Sequence, residues 1–355
     1  MLLRATKWSL LGVSAAYAAS AYGSGVHQAA AYEVIDNNAL FEFEKIQLTD
    51  KVLANLTALP RLSDVALFFF DGDAPDSARS THNNTSFPKC KSLPGDPTYP
   101  SQDDWAGLDA LSDGALIKTV PIGSVCYDGE FYDSRKCQFL LDNWNVSDTH
   151  VVDPTSVMSP IFVGQTCMPQ DAVVPGNSSC TLGGFPSYSL NVTTVAQIQL
   201  AVNFARNQHL RLVIRNTGHD FLGKNTGEGA LSIWTHHLND IKVIDNYESA
   251  GGRYSGPAFK LGAGVMVYEL YEAAEREGYT AVGGECRVLS VDMVTADGRF
   301  ITADETQNTD LFWAVRGGGA ATWGVVTSMT VKVHPKTLRV GNGMGHDNGG
   351  HEHHR

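Results

Sequence analysis

The chain has 355 residues, 43% hydrophobic and 18% charged, with a formal net charge of -12. That is a globular composition, long enough for a real core and two modest domains. The acidic balance, with no basic run longer than a pair, excludes nucleic acid and anionic membrane surfaces as partners, since both demand Lys/Arg patches.

In chain order, Arg4 and Lys7 precede an apolar stretch, Trp8 to Ala19, and then small residues. This predicts a secretory signal peptide over residues 1–21, with cleavage after Ala16-Tyr17-Ala18 or Ala19-Ser20-Ala21. No later stretch is long and apolar enough for a membrane helix, so the mature chain is expected to be secreted without a membrane partner. Residues 22–185 are expected to form a helical, then loop-rich and disulfide-bearing region. In it Leu48, Val52, Leu56 and Leu59 recur at helical steps, residues 71–190 are mostly loop by composition, and a helix is expected near Ser134–Trp144. Asn-x-Ser/Thr sequons begin at Asn55, Asn83, Asn84, Asn145, Asn177 and Asn191, which fits a secreted glycoprotein.

Five of the six cysteines (Cys90, Cys126, Cys137, Cys167, Cys180) fall in this segment. In an oxidising compartment they predict disulfides, with Cys126–Cys137 and Cys167–Cys180 as the local pairs and Cys90 left over, although sequence does not fix the pairing. No C-x-x-C spacing supports zinc, and no metal is expected.

From residue 186 the pattern changes to short strands interleaved with helices, an α+β arrangement. An amphipathic helix is expected over Val192–Asn207, capped by Asn191, Thr193 or Thr194. Strands are expected over His209–Arg215, Ala230–Trp234, Ile241–Ile244 and Phe259–Ala263, and a helix over Val267–Gly278. Asp297-Gly298 predicts a hairpin between Val288–Ala296 and Arg299–Thr302. A short helix over Thr309–Val315 and a strand over Gly324–Val333 follow. Gly341–Arg355 is Gly/His/Asn-rich without apolar period, and residues 336–355 read as a disordered tail.

Four constellations carry chemistry. Arg215-Asn216-Thr217-Gly218-His219-Asp220, continuing to Gly223, ends a buried strand in a glycine-containing loop able to present N–H groups to an anion. His219 reads equally as a ligand-facing imidazole or as a turn histidine. Gly262-Ala263-Gly264 lacks the third glycine and the downstream acid of a dinucleotide fingerprint, and reads as a strand–helix turn. Gly283-Gly284-Glu285-Cys286 offers either a buried small residue or a reactive thiol. Arg316-Gly317-Gly318-Gly319, with Trp323-Gly324-Val325-Val326-Thr327, implies close approach by something flat or anionic, or a connector.

Together, and in this order, these pieces resemble the secreted fungal FAD-linked oxidoreductases of the berberine-bridge-enzyme-like and oligosaccharide-oxidase group, in the vanillyl-alcohol-oxidase superfamily. The resemblance runs from about Pro121 to Pro335 and includes Lys118–Cys126 and Leu311–Pro335. It implies an FAD-binding PCMH-type domain of two small α/β subdomains over residues 186–335, with the substrate domain largely missing. It implies FAD bonded covalently to His219, with Cys286 as a second attachment point. It further implies that Asn216, Thr217, Gly218, Asp220 and Gly223 form the loop that holds the FAD pyrophosphate, that Arg215 is cofactor-binding beside them, and that Gly324 and Val326 lie near the adenosine end.

The activity implied is an oxidase. A sugar or secondary-metabolite alcohol is the small-molecule substrate and O2 the acceptor. Relative to that family, about one supersecondary unit is missing after Cys286, which predicts a cavity and unpaired strand edges. The segment carrying the family's catalytic base is also absent, so no catalytic residue is assigned. The alternative is a catalytically inactive, truncated secreted glycoprotein of the same family.

Overall fold

The computed structural model describes residues 32–35, 37, 39–56, 65–72, 90–173, 179–284 and 287–336. The expected signal peptide, Leu59, the sequons at Asn83, Asn84 and Asn177, Cys286, and the tail beyond residue 336 lie outside the described residues.

Seven helices and nine strands position the site. They are α1 (Glu42–Lys45), α2 (Asp50–Leu56), α3 (Gln102–Leu111), β1 (Leu116–Lys118), α4 (Ser134–Asn143), β2 (Tyr188–Asn191), α5 (Val195–Asn207), β3 (Leu212–Arg215), β4 (Leu231–Trp234), β5 (Ile241–Glu248), β6 (Ser255–Gly262), α6 (Val267–Arg276), β7 (Val288–Thr295), β8 (Phe300–Asp304), α7 (Thr309–Val315) and β9 (Gly324–Lys332).

The strands form two sheets. The first, in order β1-β2-β4-β3, is parallel except for β1. The second, in order β8-β7-β9-β6-β5, is antiparallel throughout. This is the expected α+β class with two small sheet-and-helix units. The first sheet also draws in β1, from the stretch read as loop.

In that same stretch α3 was missed. Its signal was a capping box: Ser101 Oγ accepts from the Asp104 N–H at 3.2 Å, and the Asp104 carboxylate accepts from the Ser101 N–H at 2.8 Å. The helix buries Trp105 and Leu108, and Trp105 stacks on Tyr188 with ring centroids 4.3 Å apart.

Helix α5 departs from expectation in a more informative way. Thr194 caps it, as one of the three expected candidates. It is not an amphipathic surface helix, however, because every residue from Val195 to Ala205 except Gln197 is buried. Its polar side chains are anchors to other segments. Gln199 accepts from the Leu48 N–H at 2.8 Å and donates to the Gly298 carbonyl at 3.0 Å. Asn203 donates to the Phe68 carbonyl at 3.0 Å. Arg206 reaches the carbonyls of Phe69 and Ala296 at 2.6 and 3.0 Å. The helix thus joins the first sheet, the N-terminal segment and the Asp297-Gly298 hairpin of the second sheet. At Gly298, φ is +87° and a Cβ would come within 2.0 Å of Asn203 Oδ1, so the expected hairpin turn requires glycine here on two counts.

The second sheet has one apolar and one polar face. Helices α6 and α7 cover the apolar side, with Leu270 and Ala273 packing near Phe259, Leu261 and Val331, and Phe312 and Val315 near Val291 and Met293. The opposite face carries Lys260, Asp292, Ser328 and Thr330, all buried. Lys260 Nζ donates to Glu44 Oε2 at 2.6 Å, lies 2.8 Å from Asp292 Oδ2, and donates to the Ala39 carbonyl at 3.0 Å. Thr327 and Ser328 donate to Glu44 Oε1 at 2.8 and 2.6 Å, and Thr302 donates to Asp292 Oδ1 at 2.6 Å. Every charged atom of this cluster is partnered.

Both local disulfides form, Cys126–Cys137 and Cys167–Cys180, and Cys90 is free and exposed. Removing the cation from the buried cluster leaves two carboxylates without compensation. Lys260→Met is therefore expected to cost about 3–5 kcal/mol, measurable as a lowered urea midpoint with unchanged slope.

Candidate functional site

The two sheets meet at a seam built by three loops. The first follows β3. At its start Arg215 is not a solvated strand-end cation. The side chain is 2% exposed, and its guanidinium donates to the His150 and Asp153 carbonyls at 2.7 and 2.8 Å. Burial lowers its pKa to about 10, with Asp153 opposing the shift. Gly218 closes over this group, with φ at +84° and a Cβ position 2.7 Å from the guanidinium carbon. Arg215 therefore lies beneath the loop and shapes it.

Asp220 shapes it from the other end. Its carboxylate accepts from the N–H groups of Leu222 at 2.9 Å and Asn225 at 3.2 Å, and from that of Lys224. Gly223 packs on the Phe162 ring, where a Cβ would lie 2.5 Å from the nearest ring carbon. Thr217 is buried, whereas His219 is exposed, as are Phe221 (84%) and Leu222 (69%) beside it. His219 makes no hydrogen bond among the described residues. Asn225 is 6% exposed with both amide atoms unpartnered, so the loop keeps buried hydrogen-bonding capacity.

Asn216 connects this loop to the second sheet. Its Nδ2 donates to the Ala263 carbonyl at 2.8 Å, and its own carbonyl accepts from Trp234 Nε1 at 3.0 Å. Ala263 belongs to the Gly262-Ala263-Gly264 turn between β6 and α6, the strand–helix turn expected. Cβ atoms at Gly262 and Gly264 would lie 2.1 and 2.2 Å from the carbonyl oxygens of Leu238 and His236. These glycines admit the chain's own backbone rather than a diphosphate.

His236 and His237 complete the seam and were not singled out from sequence; nothing in their spacing marks them. His236 Nδ1 lies 3.3 Å from Asn216 Oδ1, and its ring stacks on Trp234. Burial, reinforced by His237 and Arg215 and opposed by Glu269, holds the His236 pKa below the ordinary histidine value.

A cavity of about 560 Å³ opens on the far side of the Gly262–Gly264 turn, between α6 and α7. Ala263, Gly284, Arg287 and Val326 all line it. Gly284 and Arg287 flank the point of the sequence where a cavity was expected; Cys286 itself lies outside the described residues. The expected unpaired edge does not occur at β7, which pairs with β8 on one side and β9 on the other. Gly324 opens β9 opposite Thr295, where a Cβ would come 2.5 Å from the Val294 carbonyl. The structure thus groups Asn216 with Ala263, and Ala263 with Gly284 and Val326. His219 stands outside the cavity, on the exposed tip of its loop.

A model described as an FAD binding domain matches residues 186–286, a span that contains the whole seam loop. The FAD-linked oxidoreductase ZEB1 of Gibberella zeae is 43% identical over 279 residues, covering 71% of this chain and 48% of the relative. The VAO-type flavoprotein oxidase VAO615 of Thermothelomyces thermophilus is 42% identical over 284 residues, covering 72% and 49%. The chain is a homologue of the fungal FAD-linked oxidoreductases and VAO-type flavoproteins. It spans about half the length of the curated relatives it matches.

Among solved structures, the VAO-type flavoprotein MtVAO615 from Myceliophthora thermophila superposes with a TM-score of 0.65 at 42% identity, covering 69% of this chain and 50% of that one. MtVAO713, from the same organism, gives 0.64 at 32% identity, covering 70% and 49%. The residues present fit a flavin. A turned glycine loop, an exposed imidazole and the unspent Asn225 amide lie together on residues of the matched domain.

The His236 pKa gives a pH signature. Because the folded state disfavours the charged imidazole, the unfolded chain takes the proton first as pH falls through the ordinary histidine value near 6.5. Stability should drop over about pH 7 to 5, and His236→Gln should flatten that drop in thermal melts run across the interval.

Proposed function

We propose that the chain is an FAD-dependent oxidoreductase that carries its flavin covalently on His219, with Cys286 as a second attachment point. The observation that supports this most directly is the state of the 216–225 loop. Asp220, Arg215 and Asn216 are all committed to holding the loop backbone, and His219 is exposed with no hydrogen bond to its ring among the described residues. An imidazole fixed by its backbone and unencumbered at its ring nitrogens is what bond formation to an electrophilic ring requires. When bound, flavin supplies hydride acceptance from a sugar or secondary-metabolite alcohol and electron transfer to O2.

The chain's own residues do the positioning. Asp220 fixes the turn, Gly218 allows the reversed backbone, and Asn216 ties the loop to the second sheet. The unpaired Asn225 amide offers hydrogen bonds, and Gly324 and Val326 belong to the strand assigned to the adenosine end. A second reading, a secreted glycoprotein without turnover, is favoured by one observation. A cavity adjoins Gly284 and Arg287, on either side of the point where the family resemblance implies a missing unit.

Protein expressed in a secreting host and precipitated with acid should retain yellow colour in the pellet. His219→Ala should release it, and Cys286→Ala should weaken retention. A colourless wild-type pellet would overturn covalent attachment and leave the second reading.

Secretion is proposed from the two disulfides and the sequons. Asn145 is exposed on a turn, whereas Asn191 is half-buried in β2 with its Oδ1 2.7 Å from His237 Nδ1. Glycan is expected at Asn145 and not at Asn191, which peptide mapping after enzymatic deglycosylation reads directly.

A further inference from the structure

The cavity between α6 and α7 has a chemistry of its own. Its walls are apolar, and Leu261, Leu270 and Val291 are each less than a tenth exposed, with Met329 between them. At about 560 Å³ it falls within the size range of small-molecule pockets.

Two guanidinium groups, Arg287 and Arg316, line the same cavity, and both residues are exposed. Arg316 stacks over the Phe312 ring at 4.1 Å and donates Nε–H to the Phe312 carbonyl at 3.1 Å, which fixes the group and leaves its terminal nitrogens unused. Among the described residues neither arginine has an ion-pair partner. Glu305, on an adjoining smaller cavity that the two arginines share, is engaged by Ser249, the Gly251 N–H and Arg253. An apolar pocket flanked by two cations without ion-pair partners among the described residues, in a chain of net charge -12, complements one kind of ligand.

We infer that this cavity binds an amphipathic carboxylate, its tail between α6 and α7 and its head on Arg287 and Arg316. The site is separate from the loop that presents His219, although it shares Val326 with the residues assigned to flavin.

The probe is decanoate, compared with decanol, in displacing 8-anilinonaphthalene-1-sulfonate fluorescence from the full chain as purified. Decanoate should displace the dye saturably and about tenfold more tightly than decanol. R287Q/R316Q should erase that difference and leave decanol unchanged. Val267 lines the cavity and is 47% exposed, so V267W narrows the mouth without overpacking the core and should weaken both.

Absence of saturable displacement, equal affinity for decanoate and decanol, or indifference to V267W in a variant with native circular dichroism would each overturn the inference. Displacement of the dye by added FAD would assign the cavity to the cofactor. That outcome refutes carboxylate binding while leaving attachment at His219 standing.

Discussion

A buried ammonium group sits at the centre of the contact between the second sheet and the N-terminal segment. Lys260 sits on the polar face of that sheet, and its three N–H donors go to Glu44, Asp292 and the Ala39 carbonyl. Placing a lysine and two carboxylates where water is excluded costs several kcal/mol per ion unless each is matched. Here hydroxyls from Thr302, Thr327 and Ser328 supply the remaining bonds. The arrangement is more demanding than apolar packing, because the parts succeed only together. It fixes which face of the sheet turns outward to α6 and α7, and so where the cavity and the seam fall.

The seam inherits this rigidity. With the second sheet fixed against α1 and the first sheet fixed against α5, the loops between them have little freedom. Asn216 then needs only one bond to the Ala263 carbonyl to set the 216–220 loop against the β6–α6 turn. Arg215 contributes from below, tying the loop to the disulfide-bearing region through the carbonyls of His150 and Asp153.

Much of this was legible in the residues. Alternation and helical period located β3, β4, β6, β7, β9, α4, α6 and α7 to within a few positions, and Asp297-Gly298 marked its hairpin. The failures have physical causes. Helix α3 carries its apolar residues sparsely among acids, so composition read it as loop although Ser101 and Asp104 announced its start. In α5, Gln199 and Asn203 resembled a solvent face because polarity in sequence does not reveal a backbone partner a hundred residues away. Arg215 read only as part of the cofactor-binding loop for the same reason. Its acceptors lie more than sixty residues upstream. His236 became visible only when tertiary contact placed it on Trp234 beside Asn216.

The anchors of α5 share a property with consequences for how such a chain drifts. Gln199, Asn203, Arg206 and Asn207 all bond main-chain atoms of other segments. A carbonyl is present whatever side chain stands beside it. Phe69 and Ala296 are therefore free to vary as far as those bonds are concerned, while the helix positions are not. Tolerance to substitution should thus be one-sided across this junction, with the helix the constrained partner and the loops it grips the permissive ones.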